Sequence, residues 1–181
     1  YSNMPWYIEQ QKEAEDLARK YGFHKVSQLK LSVAKKIKEF VTGGGFMFAM
    51  CSATDTYDIA LAAEGIDICD RYYDGDPADP NAQEKLNFDN SLAFTDFRLE
   101  RQPLKYEFSD IDNEPSERGL RQDNDYFTLF EFSAKWDPIP TMLTQNHTRV
   151  IKGFFGQTTG FKGHLVKPDV LVMGENKQIK E

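Results

Sequence analysis

The feature that most constrains the fold of this chain is residues 41–58, Val-Thr-Gly-Gly-Gly-Phe-Met-Phe-Ala-Met-Cys-Ser-Ala-Thr-Asp-Thr-Tyr-Asp. A helical pattern runs into Gly43, Gly44 and Gly45, which can supply the left-handed residue that closes a helix. The uncharged apolar run at residues 46–50 has the length of a strand buried on both faces. It stops at Cys51, after which Ser52 or Thr54 can cap a second helix. Asp55 and Asp58 fall in the early turns of that helix, where carboxylates complement the dipole. A cysteine between a buried strand and a helix N-terminus sits where a thiolate is electrostatically favoured. The pattern is that of a nucleophile elbow.

The flanking segments have the rhythm of a layered domain. Pro5 suits a first helical turn, Tyr7, Ala14, Leu17, Ala18 and Tyr21 recur at helical spacing, and Gly22 follows as a C-terminal cap. Ser32 is a candidate N-cap for the helix that enters the elbow. Val33, Ile37, Phe40 and Val41 lie on one side of it, and Lys35, Lys36 and Lys38 form a solvated face on the other. After the elbow, Ile59, Ala60, Leu61 and Ala63 continue a helix that Gly65 ends. Residues 66–69 then read as a short strand with Cys69 as a buried, inert thiol. Helix, buried strand, helix predicts α/β layering.

The remainder divides by texture. Residues 70–90 are rich in Asp, Pro and Gly and read as a long loop. Asp74, Asp76 and Asp79 can gather oxygens round a hard cation. Their spacing does not match a calcium-binding loop, and aspartates bonding their own backbone are the simpler reading, so no metal is assigned. Aromatic and branched residues at 94–99, 126–132, 141–143, 150–155 and 170–173 predict strands. The expected organisation is one α/β domain over residues 1–181, with an elbow core at 32–69, the acidic loop at 70–90 and a β-rich part at 91–175.

Charge narrows the choice of partner. Residues 1–50 carry eight Lys/Arg against five Asp/Glu, whereas residues 64–137 carry nineteen Asp/Glu against eight Lys/Arg. An acidic middle argues against nucleic acid, because neutralising phosphate needs the opposite sign. No apolar run is long enough to span a membrane. Two cysteines, Cys51 and Cys69, are too few for a disulfide framework, and no Cys/His spacing suggests structural zinc.

The run Gly43-Gly44-Gly45-Phe46 followed by Cys51-Ser52-Ala53-Thr54-Asp55-Thr56 resembles the signature of trehalose-utilisation (ThuA-like) proteins, within the class I glutamine amidotransferase-like superfamily. The resemblance covers residues 40–58 and is diffuse elsewhere. It departs at Cys51, where the ThuA-like pattern has histidine and true amidotransferases have cysteine. The fold it implies is flavodoxin-like, a layered sheet with helices on both faces, here with added β-rich segments. The family's first strands and its closing histidine motif have no counterpart in this sequence. That predicts a fragment, incomplete at both ends, whose sheet missing segments or another chain would complete. Look-alikes are sometimes labelled asparagine synthetase B, but the chain has no N-terminal catalytic cysteine and no Ser-Gly-Gly-x-Asp-Ser pyrophosphate loop.

Three functions follow as expectations. In the first, Cys51 attacks an amide, His147 is the base, and backbone N–H groups at Gly44, Gly45 and Ser52 form the oxyanion site. Asp55 and Asp58 there orient the base or bind polar substrate. The second is a carbohydrate-binding ThuA-like domain without thiol chemistry, and the third a scaffold or interaction protein. The small-molecule partner is accordingly an amide or a sugar-like ligand. No cofactor is implied, and the expected setting is bacterial, either cytoplasmic or exported.

Overall fold

The computed structural model describes residues 3–50, 53–102, 105, 108–112, 126–129, 150–152, 161–172 and 174–176. The chain divides into two compact units, Tyr1–Leu92 with Arg101–Tyr106, and Ala93–Glu100 with Glu107–Glu181.

The first unit is helical. Helix α1 (Pro5–Lys20) starts on the predicted proline, and α2 (Val26–Thr42) packs against it. Helix α3 (Ala53–Ala62) packs on α2 in turn, with the Tyr57 hydroxyl donating to the Ala34 carbonyl. Ala18 and Ala34 are the buried residues of α1 and α2, while α3 buries Ile59, Leu61 and Ala62. Two short helices, α4 (Arg71–Asp74) and α5 (Ala82–Lys85), and a 3-10 turn at Phe88–Asn90 break up the stretch expected to be a loop. Three of the lysines expected to form a solvated face have partners: Lys35 pairs with Glu64, Lys36 with Glu39, and Lys38 donates to the Asn90 carbonyl at 2.6 Å.

Glycine closes two helices in the same way. After α2, Gly44 has φ +94°, its N–H donates to Val41 O at 3.0 Å, and the Gly45 N–H reaches back to Phe40 O at 2.9 Å. After α1, Gly22 has φ +83°, with matching bonds from Gly22 to Arg19 O and from Phe23 to Ala18 O. Both are Schellman closures, which satisfy the last helical carbonyls. The Phe40 ring lies over Gly45, in the space a Cβ there would take.

The second unit has a small core containing Phe97, Ile111, Leu165 and Phe94. Isolated bridges join Phe94 to Val166, Leu99 to Ser109 and Asp112 to Phe161. Strands β1 (Tyr126–Leu129), β2 (Val150–Lys152) and β3 (Gly174–Asn176) form an antiparallel sheet of order β2-β1-β3.

This architecture overturns the flavodoxin-like expectation. Among the described residues helix predominates, strand is confined to three short segments, and their sheet is antiparallel with no strand from the elbow. Residues 46–50 have no turn or bend but pair with nothing among the described residues, and their exposure alternates instead of being low on both faces. Helix α2 begins at Val26 rather than after Ser32, whose hydroxyl donates to Leu29 O inside the helix. Residues 141–143 lie outside the described residues.

Gly44→Ala forces a side chain into a left-handed conformation and should destabilise the fold by about 1–2 kcal/mol. Gly43→Ala, at φ −78°, should be better tolerated. Thermal unfolding followed by circular dichroism at the helical band tests this, and equal losses for the two variants would refute the closure.

Candidate functional site

The elbow is built from the end of α2, the extended residues 46–50 and the start of α3. Its two ends are fixed by the closure at Gly44 and by the Ala53 N–H donating to Met50 O at 3.2 Å. Cys51 and Ser52 lie outside the described residues, as does His147. The structure brings Gly44, Gly45, Asp55 and Asp58 into one unit. Both glycine N–H groups assigned to an oxyanion site are engaged with carbonyls of α2.

Asp55 and Asp58 are buried rather than directed into an open cleft. Asp58 is among the most deeply buried side chains, and its Oδ1 accepts the Leu92 N–H at 2.6 Å. That bond ties α3 to the chain after the 3-10 turn, beside the Asn87 N–H, which donates to Ala62 O at 2.9 Å. Burial, and then the Asp58 carboxylate, push the neighbouring Tyr57 phenol up. Thr54 lies within the first turn of α3 and is not its cap.

A second constellation was only partly visible in the sequence. Asp67, Asp74 and Asp76 bring carboxylate oxygens within 4.8 Å of one another. Between them sits the Lys25 ammonium, 2.7 Å from Asp67, 3.3 Å from Asp74 and 2.6 Å from Asp76. The ammonium does here what a bound cation would do, offsetting the repulsion of three like charges. The hydrogen bonds Lys25 donates to Asp67 and Asp76 raise its own pKa, and the same donation lowers that of Asp76. Asp79 closes the loop, with its carboxylate accepting the Asp67 N–H at 3.3 Å and its own N–H donating to Asp67 O at 2.8 Å. Nearby, burial and then the charges of Asp74 and Asp67 push the Cys69 thiol up to about 11.

Sequence reasoning missed Lys25 and Asp67, which are 42 positions apart. One local signal was available. Gln28 accepts from the Lys25 and His24 N–H groups at 3.2 and 3.1 Å, half of a capping box, which makes Lys25 the N-cap of α2.

The second unit holds a shallow apolar hollow of about 190 Å³, lined by Ala93, Phe94, Phe161, Val166, Val170 and Leu171. No titratable side chain lines it, so it lacks the polar groups that orient a sugar or an amide. Among the described residues no helix is long and apolar enough to cross a membrane. Comparison with protein-family models, curated proteins and solved structures returned no match.

Two outcomes follow. Asp58→Ala leaves the Leu92 N–H without its acceptor and should lower stability by about 1–3 kcal/mol, whereas Asp58→Asn keeps an oxygen there and should lose less. Equal losses in denaturant unfolding would show that the bond is unimportant. The Lys25 cluster should leave stability flat across neutral pH. The raised Lys25 pKa keeps its contribution below ordinary lysine pKa values, and the lowered Asp76 pKa makes its contribution fade on acidification below about 4. Lys25→Met should flatten that acid limb in a pH series of melting temperatures, and an unchanged limb would refute the linkage.

Proposed function

We propose that the first unit is a protein-interaction module whose contact element is the elbow segment, residues 46–50. The observation that carries this reading is the exposure of Phe46 (58%), Phe48 (56%) and Met50 (66%) on alternate residues of an extended, uncharged segment. Buried apolar side chains are ordinary, but a row of large exposed ones on one side of a segment held at both ends is characteristic of a docking surface. Engagement of the Gly44 and Gly45 N–H groups and burial of Asp55 and Asp58 favour this reading over an amide-cleaving centre. The apolar hollow of the second unit offers no polar anchor that would favour a carbohydrate ligand.

One observation keeps a second reading, thiol chemistry at Cys51. Helix α3 starts at Ala53, two positions after the cysteine, and a helix N-terminus stabilises a thiolate. On that reading the substrate is a small amide, as the resemblance to amidotransferase-like proteins implies.

Replacing Phe46, Phe48 and Met50 together by serine separates a surface from a core. On the interaction reading each change shifts stability by no more than about 0.5 kcal/mol, and binding of a hydrophobic dye falls. A loss of 2–5 kcal/mol per site, as for core truncation, would overturn it. Iodoacetamide labelling across pH tests the second reading with Cys69 as internal control, since a thiol titrating at about 11 should label slowly near neutrality. Cys51 labelling with an apparent pKa well below about 8.5 would favour thiol chemistry, and ordinary titration would remove it.

A further inference from the structure

Resting on the interaction reading, we infer that residues 46–50 take up an uncharged, apolar β-strand from a partner polypeptide by backbone pairing along their edge. Side-chain exposure alone does not specify an occupant, but the backbone does. Among the described residues, the N–H and C=O groups of Phe46, Met47, Phe48 and Ala49 have no protein partner. A row of alternating donors and acceptors on an extended segment is complemented by another extended segment, which supplies acceptors and donors at the same repeat.

The chemistry of that strand follows from the tract around the edge. Residues 41–54 contain no charged side chain, so a charged strand laid against them would lose hydration without gaining an ion pair. Proteins commonly protect a free strand edge with lysine, proline or a bulge, and residues 46–50 carry neither lysine nor proline. The alternation adds a side-chain code. Phe46, Phe48 and Met50 are the exposed set, so the partner strand should present large apolar residues at every second position to pair across from them.

Preorganisation favours such pairing. The segment is anchored at one end by Gly45 N–H to Phe40 O and at the other by Ala53 N–H to Met50 O, so little chain entropy is lost on docking.

The probe is a short fluorescent peptide of alternating valine and threonine, titrated into the full chain and read by polarisation. Its N-methylated counterpart, in which alternate amides cannot donate, and a lysine-for-threonine version serve as comparisons. The expected result is saturable binding of the parent peptide, weakened roughly tenfold or more by N-methylation and by lysine. Phe48→Pro, which removes a backbone donor from the protein side, should weaken binding similarly. Equal binding of the N-methylated peptide overturns strand pairing while leaving a side-chain interaction surface standing. Absence of binding, with the serine variants still folded and dye binding reduced, overturns the partner class and leaves the interaction reading intact. Concentration-dependent dimerisation in sedimentation, abolished by Phe48→Pro, would assign the edge to a second copy and overturn the proposal of a separate partner.

Discussion

Helix α2 organises the first unit through its two ends. At its N-terminus, Lys25 extends its ammonium into the 67–76 segment and holds three carboxylates together. At its C-terminus, Gly44 adopts the left-handed conformation that lets the Gly45 N–H close the helix and turn the chain into residues 46–50. Between the ends, the Ala34 carbonyl receives the Tyr57 hydroxyl and fixes α3. One helix thus sets the loop on one side and the elbow on the other.

The acidic segment shows why a cluster of carboxylates need not signal a metal. Asp67, Asp74 and Asp76 would repel one another strongly if left alone. The chain supplies its own cation from a residue remote in sequence, and Asp79 locks the same segment through paired bonds with Asp67. A divalent ion entering there would have to displace an ammonium already 2.6 Å from Asp76. Burial and then the same charges push the Cys69 thiol up, away from the thiolate a nucleophile needs.

Local signals in the sequence were read well where the physics is local. Pro5 marked the start of α1, Gly22 its end, and the glycine run the end of α2, because these depend on one residue's backbone freedom. Ser32 is a good cap by type but sits inside α2, bonded to Leu29 O, so the helix begins earlier than its cap chemistry predicts. Residues 70–90 read as a loop from their Asp, Pro and Gly content, but α4, α5 and a 3-10 turn interrupt them, and the lysine hub beside them depends on contacts across more than forty positions. The layered sheet failed for a different reason. A short apolar run is compatible with a doubly buried strand, but only neighbouring strands can make it one, and none pairs with residues 46–50 among the described residues. Of the candidate site, Gly44, Gly45, Asp55 and Asp58 were legible as positions but not as roles, since a glycine amide or a carboxylate acquires its role from what it bonds. Cys51, Ser52 and His147 lie outside the described residues.

The elbow therefore joins two features usually found apart. Its ends are fixed as in a folded core, while its middle presents apolar side chains and a backbone that, among the described residues, pairs with no strand. Elements that only connect helices tend to be polar and glycine- or proline-rich, because water then satisfies both backbone and side chains. Residues 46–50 have no such composition, and exposing them to water forgoes the favourable burial available to two phenylalanines and a methionine. A segment with that chemistry gains most from a surface that covers its side chains and satisfies its amides together. The extended apolar partner proposed for this segment does both.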